Sequence, residues 1–168
     1  TLFDSGDGTV KTFNNSGKVR RTTGTGTTLW YGLLNNDGML AAESGTLSLA
    51  GGGTSAGSFT NVAGATLTFS GGTQTLNDGA SFTGAGTNQI AGGTVNVNAG
   101  ATASAAGLFE LSSGTLGGTG TFLVTSGSQF NWPGGTMAGT TGVTVITNGA
   151  TLIASSGADK DLRRRLDN

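Results

Sequence analysis

Cysteine is absent from this chain of 168 residues, histidine is absent too, and proline occurs once, at Pro133. Without cysteine there is no disulfide framework and no thiolate metal site. Charge is scarce as well: Lys and Arg number 8 against 9 Asp and Glu, a net charge of −1. Every cation lies near an end, Lys11, Lys18, Arg20 and Arg21 at the start and Lys160 and Arg163 to Arg165 at the finish. Between Glu43 and Asp159 the only carboxylates are Asp78 and Glu110. A surface so poor in charge has no electrostatic footprint for nucleic acid. No apolar run is long enough to span a bilayer.

What fills the chain instead is glycine, 33 residues of it, with threonine, serine and asparagine. These residues keep a phase. Gly71-Gly72-Thr73-Gln74 returns at a constant step as Gly92-Gly93-Thr94-Val95, Ser113-Gly114-Thr115-Leu116 and Gly134-Gly135-Thr136-Met137. Two positions before each phrase stands one large apolar residue: Phe69, Ile90, Leu111 and Trp132, with Ile153 next in the same register. A further apolar column follows each Thr at Phe82, Ala103, Val124 and Val145, and extends back to Phe13, Leu34 and Phe59. Phe13-Asn14-Asn15-Ser16-Gly17 matches Leu34-Asn35-Asn36-Asp37-Gly38, and Gly24-Thr25 matches Gly45-Thr46. The steps from Leu34 to Phe59 and from Phe59 to Phe82 are longer than the rest. They imply two insertions, part of the first at Gly51-Gly52-Gly53. From Phe82 onward the spacing predicts a regular repeat.

A strict period of about 21 residues is the mark of a repeat architecture. Within a period, apolar residues alternate with polar ones, as in Leu67-Thr68-Phe69 and Phe109-Glu110-Leu111, the pattern of short half-buried strands. The expected fold is all-β: a right-handed parallel β-helix, or β-solenoid, of about seven coils of ~21 residues. Residues 1–168 form one solenoid segment, with 1–12 as a lead-in, 13–158 as regular coils and 159–168 as the start of the next coil or an end cap. The columns Phe13, Leu34, Phe59, Phe82, Ala103, Val124, Val145 and Phe69, Ile90, Leu111, Trp132, Ile153 are the expected core. Ala101 and Ala103 leave a thin patch there, into which Phe82 and Phe122 should lean.

At its Phe-Asn-Asn-Ser-Gly, Ser-Gly-Thr-Leu and Gly-Gly-Thr-Val phrases, the chain resembles the repeat arrays of large secreted bacterial surface proteins. These are the filamentous-haemagglutinin-like and autotransporter-passenger β-solenoids, many of them adhesins. The resemblance covers nearly the whole chain. It implies an extracellular location at the bacterial cell surface and a structural or adhesive role as stalk or adhesin. A self-assembling fibre subunit that stacks end to end is the first alternative, and a carbohydrate- or ice-binding face the second. The partners implied are a second copy, the remainder of a longer solenoid, or a surface glycan, with neither nucleic acid nor membrane insertion.

No enzyme is expected, because catalysis needs convergent acid, base or metal groups. Glu110 shares a column with Thr68, Gln89 and Asn131, whereas Asp78 belongs to a turn. No cofactor is implied. Asp4-Ser5-Gly6-Asp7-Gly8 has too few oxygen ligands for a calcium loop and reads as a turn. Thr73, Thr94, Thr115 and Thr136 form a ladder at a strand start. Their neighbours Thr75, Asn96, Gly117 and Ala138 do not supply the second threonine column of an ice-binding face. The basic tail from Asp159 to Asn168 keeps the repeat phase, with Leu166-Asp167-Asn168 matching Leu34-Asn35-Asn36. Strand is therefore expected there over helix, with the charges as an outward rim. The chain begins and stops within recognisable coils, which suggests a section of something longer.

Overall fold

The computed structural model describes residues 9–155 and 157–168; the Asp4–Gly8 segment lies outside the described residues. Parallel strands stack into a β-solenoid, and no helix occurs among the described residues. Each coil has three faces, visited in the same order. Face I carries Thr12–Asn15, Leu33–Asn36, Gly53–Ser55 and Thr73–Leu76, and continues to Lys160–Leu162. Face II runs from Lys18–Arg21 to Arg165–Asp167 and is an 8-stranded sheet of its own. Face III runs from Thr27–Trp30 to Thr151–Ile153. Faces I and III join in a 13-stranded sheet, because Thr87–Val97 and Leu108–Gly118 are continuous strands that supply both.

The recurrent Gly-Thr phrase makes the bend between faces III and I. Gly72, Gly114 and Gly135 there have φ of 61°, 77° and 80°, backbone that only glycine adopts without strain. A Cβ on Gly114 would also lie 2.3 Å from the Gly93 carbonyl oxygen one coil below. The Thr ladder then starts face I as expected: Thr73 pairs with Thr94, Thr94 with Thr115, and Thr115 with Thr136.

The core is a stack of side chains in columns. Trp30, Leu49, Phe69, Ile90, Leu111 and Trp132 line face III, and all are buried. On face II the column is Val19, Leu40, Phe59, Phe82, Ala105, Val124 and Ile146. Phe13 and Leu34 are not part of it, although counting by the repeat puts them with Phe59. They lie on face I, followed by Gln74, Val95, Leu116 and Met137. The cause is a corner of changed length: five residues, 22–26, join faces II and III in the first coil, and three, 43–45, in the second. Gly26, not Gly24, therefore precedes the partner of Thr46, since Thr27 pairs with Thr46. Gly53 pairs within a ladder, so the triple glycine holds no insertion; the longer corner lies at residues 77–80.

Past Phe82 the register is not uniform either. Phe82 faces Ala105, and Ala103 faces Phe122, a slide of two positions. Side chains alternate with a period of two, so this slide leaves Ala103 and Ala105 both buried. The space above these alanines is filled from both sides. The Phe82 and Phe122 rings, which belong to coils on either side of it, approach to 6.1 Å between centroids. Phe109 from face III packs against both, at 5.0 and 4.8 Å.

The last coil differs in kind. Between Gly139 and Val143 stand three residues where only two separate Gly118 from Thr121, an odd insertion that inverts the alternation. Val124 consequently faces Ile146, Thr144 points into the core, and Val145 points out, contrary to the column counted from the repeat. The same shift brings Leu152 opposite Phe130 and leaves Ile153 39% exposed, so Ile153 is not a core residue. The tail continues the ladders as strand, but on a different phase from that expected: Leu166 pairs with Thr144 on face II instead of extending the Leu34 column of face I.

Thr144 is 0% exposed and its hydroxyl has no hydrogen-bond partner. An unsatisfied buried hydroxyl costs about 1–3 kcal/mol. Thr144→Val should therefore raise stability by about 1 kcal/mol in urea unfolding, and Val145→Thr should leave it within about 0.5 kcal/mol. The reverse order of effects would mean that Val145, not Thr144, faces the core.

Candidate functional surfaces

The outer faces are built from the polar residues of each strand. On face I, beside the Thr ladder, Asn14, Asn35 and Thr54 form a hydrogen-bonded row. Asn35 Nδ2 donates to Asn14 Oδ1 at 2.9 Å, and Thr54 Oγ1 donates to Asn35 Oδ1 at 3.1 Å. Further along, Thr75 pairs with Asn96 and Asn96 with Gly117, so no second threonine column accompanies Thr73 to Thr136.

Face III carries a threonine ladder that counting by a constant step misses. Thr27 pairs with Thr46, Thr46 with Thr66, and Thr66 with Thr87, and each step is one position longer than the one before. Only the corner lengths, set by three-dimensional packing, bring these four into line. Next to it stand Ser48, Thr68, Gln89, Glu110 and Asn131. Gln89 Nε2 donates to Glu110 Oε1 at 2.5 Å, so this carboxylate is held by an amide on the outer face. Asp78 is elsewhere, in the corner between faces I and II, where its Oδ1 accepts from the Thr102 amide at 2.9 Å. The two carboxylates are not brought together. No group of three acidic side chains placed to hold a metal ion occurs among the described residues.

Charge gathers at the two ends of the stack and is mostly paired. Arg20 grips Glu43 through Nε at 2.6 Å and Nη2 at 2.5 Å. That hydrogen bond lowers the Glu43 carboxyl below its ordinary range, with further contributions from the charges of Arg20 and Lys18. In the last coil Arg163 pairs with Asp161 and Arg165 with Asp167.

Arg164 departs from this pattern. It is 5% exposed and meets no carboxylate; its guanidinium donates to the backbone carbonyls of Gly117 at 3.0 Å, Gly120 at 3.0 Å and Val143 at 2.8 Å. Gly142 leaves room for it, since a Cβ there would lie 2.9 Å from Nη2. Burial pulls its pKa down to about 10. The sequence reading puts all three arginines on an outer rim, yet Arg164 stands two positions before Leu166, which packs against the core, and the alternation of a strand gives it the inward phase that Arg163 and Arg165 lack. It stands one residue before the Val143–Arg165 pair, over the buried Gly142 of the coil below.

No family model matches the chain, and neither does any curated protein or solved structure.

Arg164 ties its own coil to two coils below through a fork that lysine cannot reproduce. Hydrogen bonds from a charged donor contribute about 1.5–3 kcal/mol each, offset in part by the cost of burying the charge. Arg164→Met should lower unfolding stability by about 1–3 kcal/mol, and Arg164→Lys by more, because lysine buries the charge without the fork. A lysine variant as stable as the parent in urea titration would show that the guanidinium is not held inside.

Proposed function

We propose that this chain is a rigid, structural or adhesive β-solenoid segment of a bacterial extracellular surface protein, acting as a stalk or as the body of an adhesin. The observation that supports this reading best is the stack itself: one strand per face is added in each coil, and among the described residues no helix or chain reversal interrupts the ladders. Such a stack resists bending, because a bend would stretch the backbone hydrogen bonds on its outer side and compress those on its inner side. The outer columns agree with a presenting role in solvent. They are hydroxyls and amides with few charges, and the apolar residues of most strands point inward. The sequence phrases shared with secreted surface solenoids suggest the location.

Antibodies against this chain, applied to intact cells of the source bacterium, test the proposal. Surface labelling is expected, and brief protease treatment of the intact cells should remove it. A signal that emerges only after lysis would contradict it.

A further inference from the structure

We propose that Asn148 is a modification site, where the side-chain amide converts to isoaspartate with water as the only co-reactant and so releases the corner at residues 147–150. This chemistry does not depend on the role proposed above. A backbone nitrogen one residue on from an asparagine can attack the asparagine Cγ and close a succinimide ring. The attack needs an N–H that no acceptor holds, and it is least obstructed at glycine, which has no Cβ. Among the described residues, three pairs place an acid or amide before glycine: Asp37-Gly38, Asp78-Gly79 and Asn148-Gly149. The stack treats them differently. Gly38 N donates to the Asn15 carbonyl at 2.9 Å and Gly79 N to the Thr102 carbonyl at 3.2 Å, in each case across to a neighbouring coil. Asp78 is held as well, since its Oδ1 accepts from the Thr102 amide at 2.9 Å.

Asn148-Gly149 lies in the turn between Val143–Ile146 of face II and Thr151–Ile153 of face III, and both residues are exposed. Ala150 N closes the turn by donating to the Thr147 carbonyl at 2.8 Å, and Gly149 takes a φ of 84° at its third position. The Gly149 carbonyl accepts from Gly127 N, one coil below, at 2.9 Å. No hydrogen bond among the described residues engages the Gly149 N–H or the Asn148 side chain. In the reaction Gly149 N bonds to Asn148 Cγ and the Cγ–Nδ2 bond breaks. The displaced nitrogen leaves as ammonia, carrying the proton from Gly149 N. Water then opens the ring at either carbonyl. One opening yields aspartate; the other yields isoaspartate, in which the chain runs through Cβ and Cγ and is one carbon longer. Either product adds a negative charge to a turn that carries none. The longer chain of the isoaspartyl form cannot keep both the Thr147–Ala150 and the Gly127–Gly149 hydrogen bonds.

Peptide mapping by mass spectrometry tests the assignment on the purified, folded chain kept warm in mildly alkaline buffer. Asn148 should convert steadily, giving acid and isoaspartyl peptides, while the other asparagines keep their amides. Asp37→Asn and Asp78→Asn each place the same Asn-Gly pair where the glycine N–H is engaged. Conversion there should run about tenfold slower, the effect of one hydrogen bond that must first break. In the converted chain, hydrogen exchange should speed up at Gly127 and Ala150 and stay unchanged in Ser58–Asn61. An Asn148 that keeps its amide in the folded chain overturns the proposal. So does conversion of the two variant positions as fast as Asn148, because the dipeptide alone would then set the rate. Unchanged exchange at Gly127 and Ala150 after conversion overturns it as well, because the corner would not have been released.

Discussion

Interior side chains in this protein rest on their counterparts one coil above and one coil below, and the other features of the molecule depend on that stacking. Ordering the backbone of a single coil costs more free energy than burying its own few apolar side chains returns. The balance turns favourable only when neighbouring coils share a core and exchange backbone hydrogen bonds. The aromatic side chains show what sharing means. Phe59 and Phe82 stack at 5.2 Å across one step of the ladder, and Phe82 and Phe122 meet across two because the coil between them offers only alanines. A vacancy in one coil is thus filled by its neighbours.

The same dependence governs the buried asparagines of one corner. Asn15 and Asn36 sit inside the corner between faces I and II, where water cannot reach them. Asn15 Nδ2 donates to Asn36 Oδ1 at 2.7 Å, and Asn36 Nδ2 donates to the Ser58 carbonyl at 3.2 Å. Each amide satisfies a group in the next coil, so the corner is fixed by hydrogen bonds that exist only in the stack. Gln74 extends the principle: above Gly53, which has no side chain, its amide reaches to the Leu34 carbonyl at 3.4 Å. At the other end of the chain, Arg164 spans coils in the same manner with a charged group.

Strands, coil number and the inward face were legible in the sequence because a parallel ladder repeats its own pattern. Phe69, Ile90, Leu111 and Trp132 fall in line at a constant step, and so does the Thr73 to Thr136 ladder. Corner lengths were not legible. Glycine, serine and threonine fill a short corner or a long one equally well, so only packing decides where one strand ends and the next begins. Slides of two, as between Phe82 and Ala105, preserve the alternation and leave no trace in the hydrophobic pattern. A slide of one does leave a trace, and it is visible in Thr144-Val145-Ile146. Valine and threonine differ too little in shape to announce which of them is inside. Columns assembled by counting therefore mixed Phe13 and Leu34 with Phe59, and missed the threonines of face III.

Native-state hydrogen exchange in increasing urea tests most directly the claim that coils are stable only as a stack. Amides of the central face II strands, Ser58–Asn61, Ser81–Gly84 and Thr102–Ala105, should share the slowest exchange and the same steep urea dependence, with protection falling coil by coil towards both ends. A central coil that exchanges through its own shallow opening, while the coils on both sides stay protected, would contradict it.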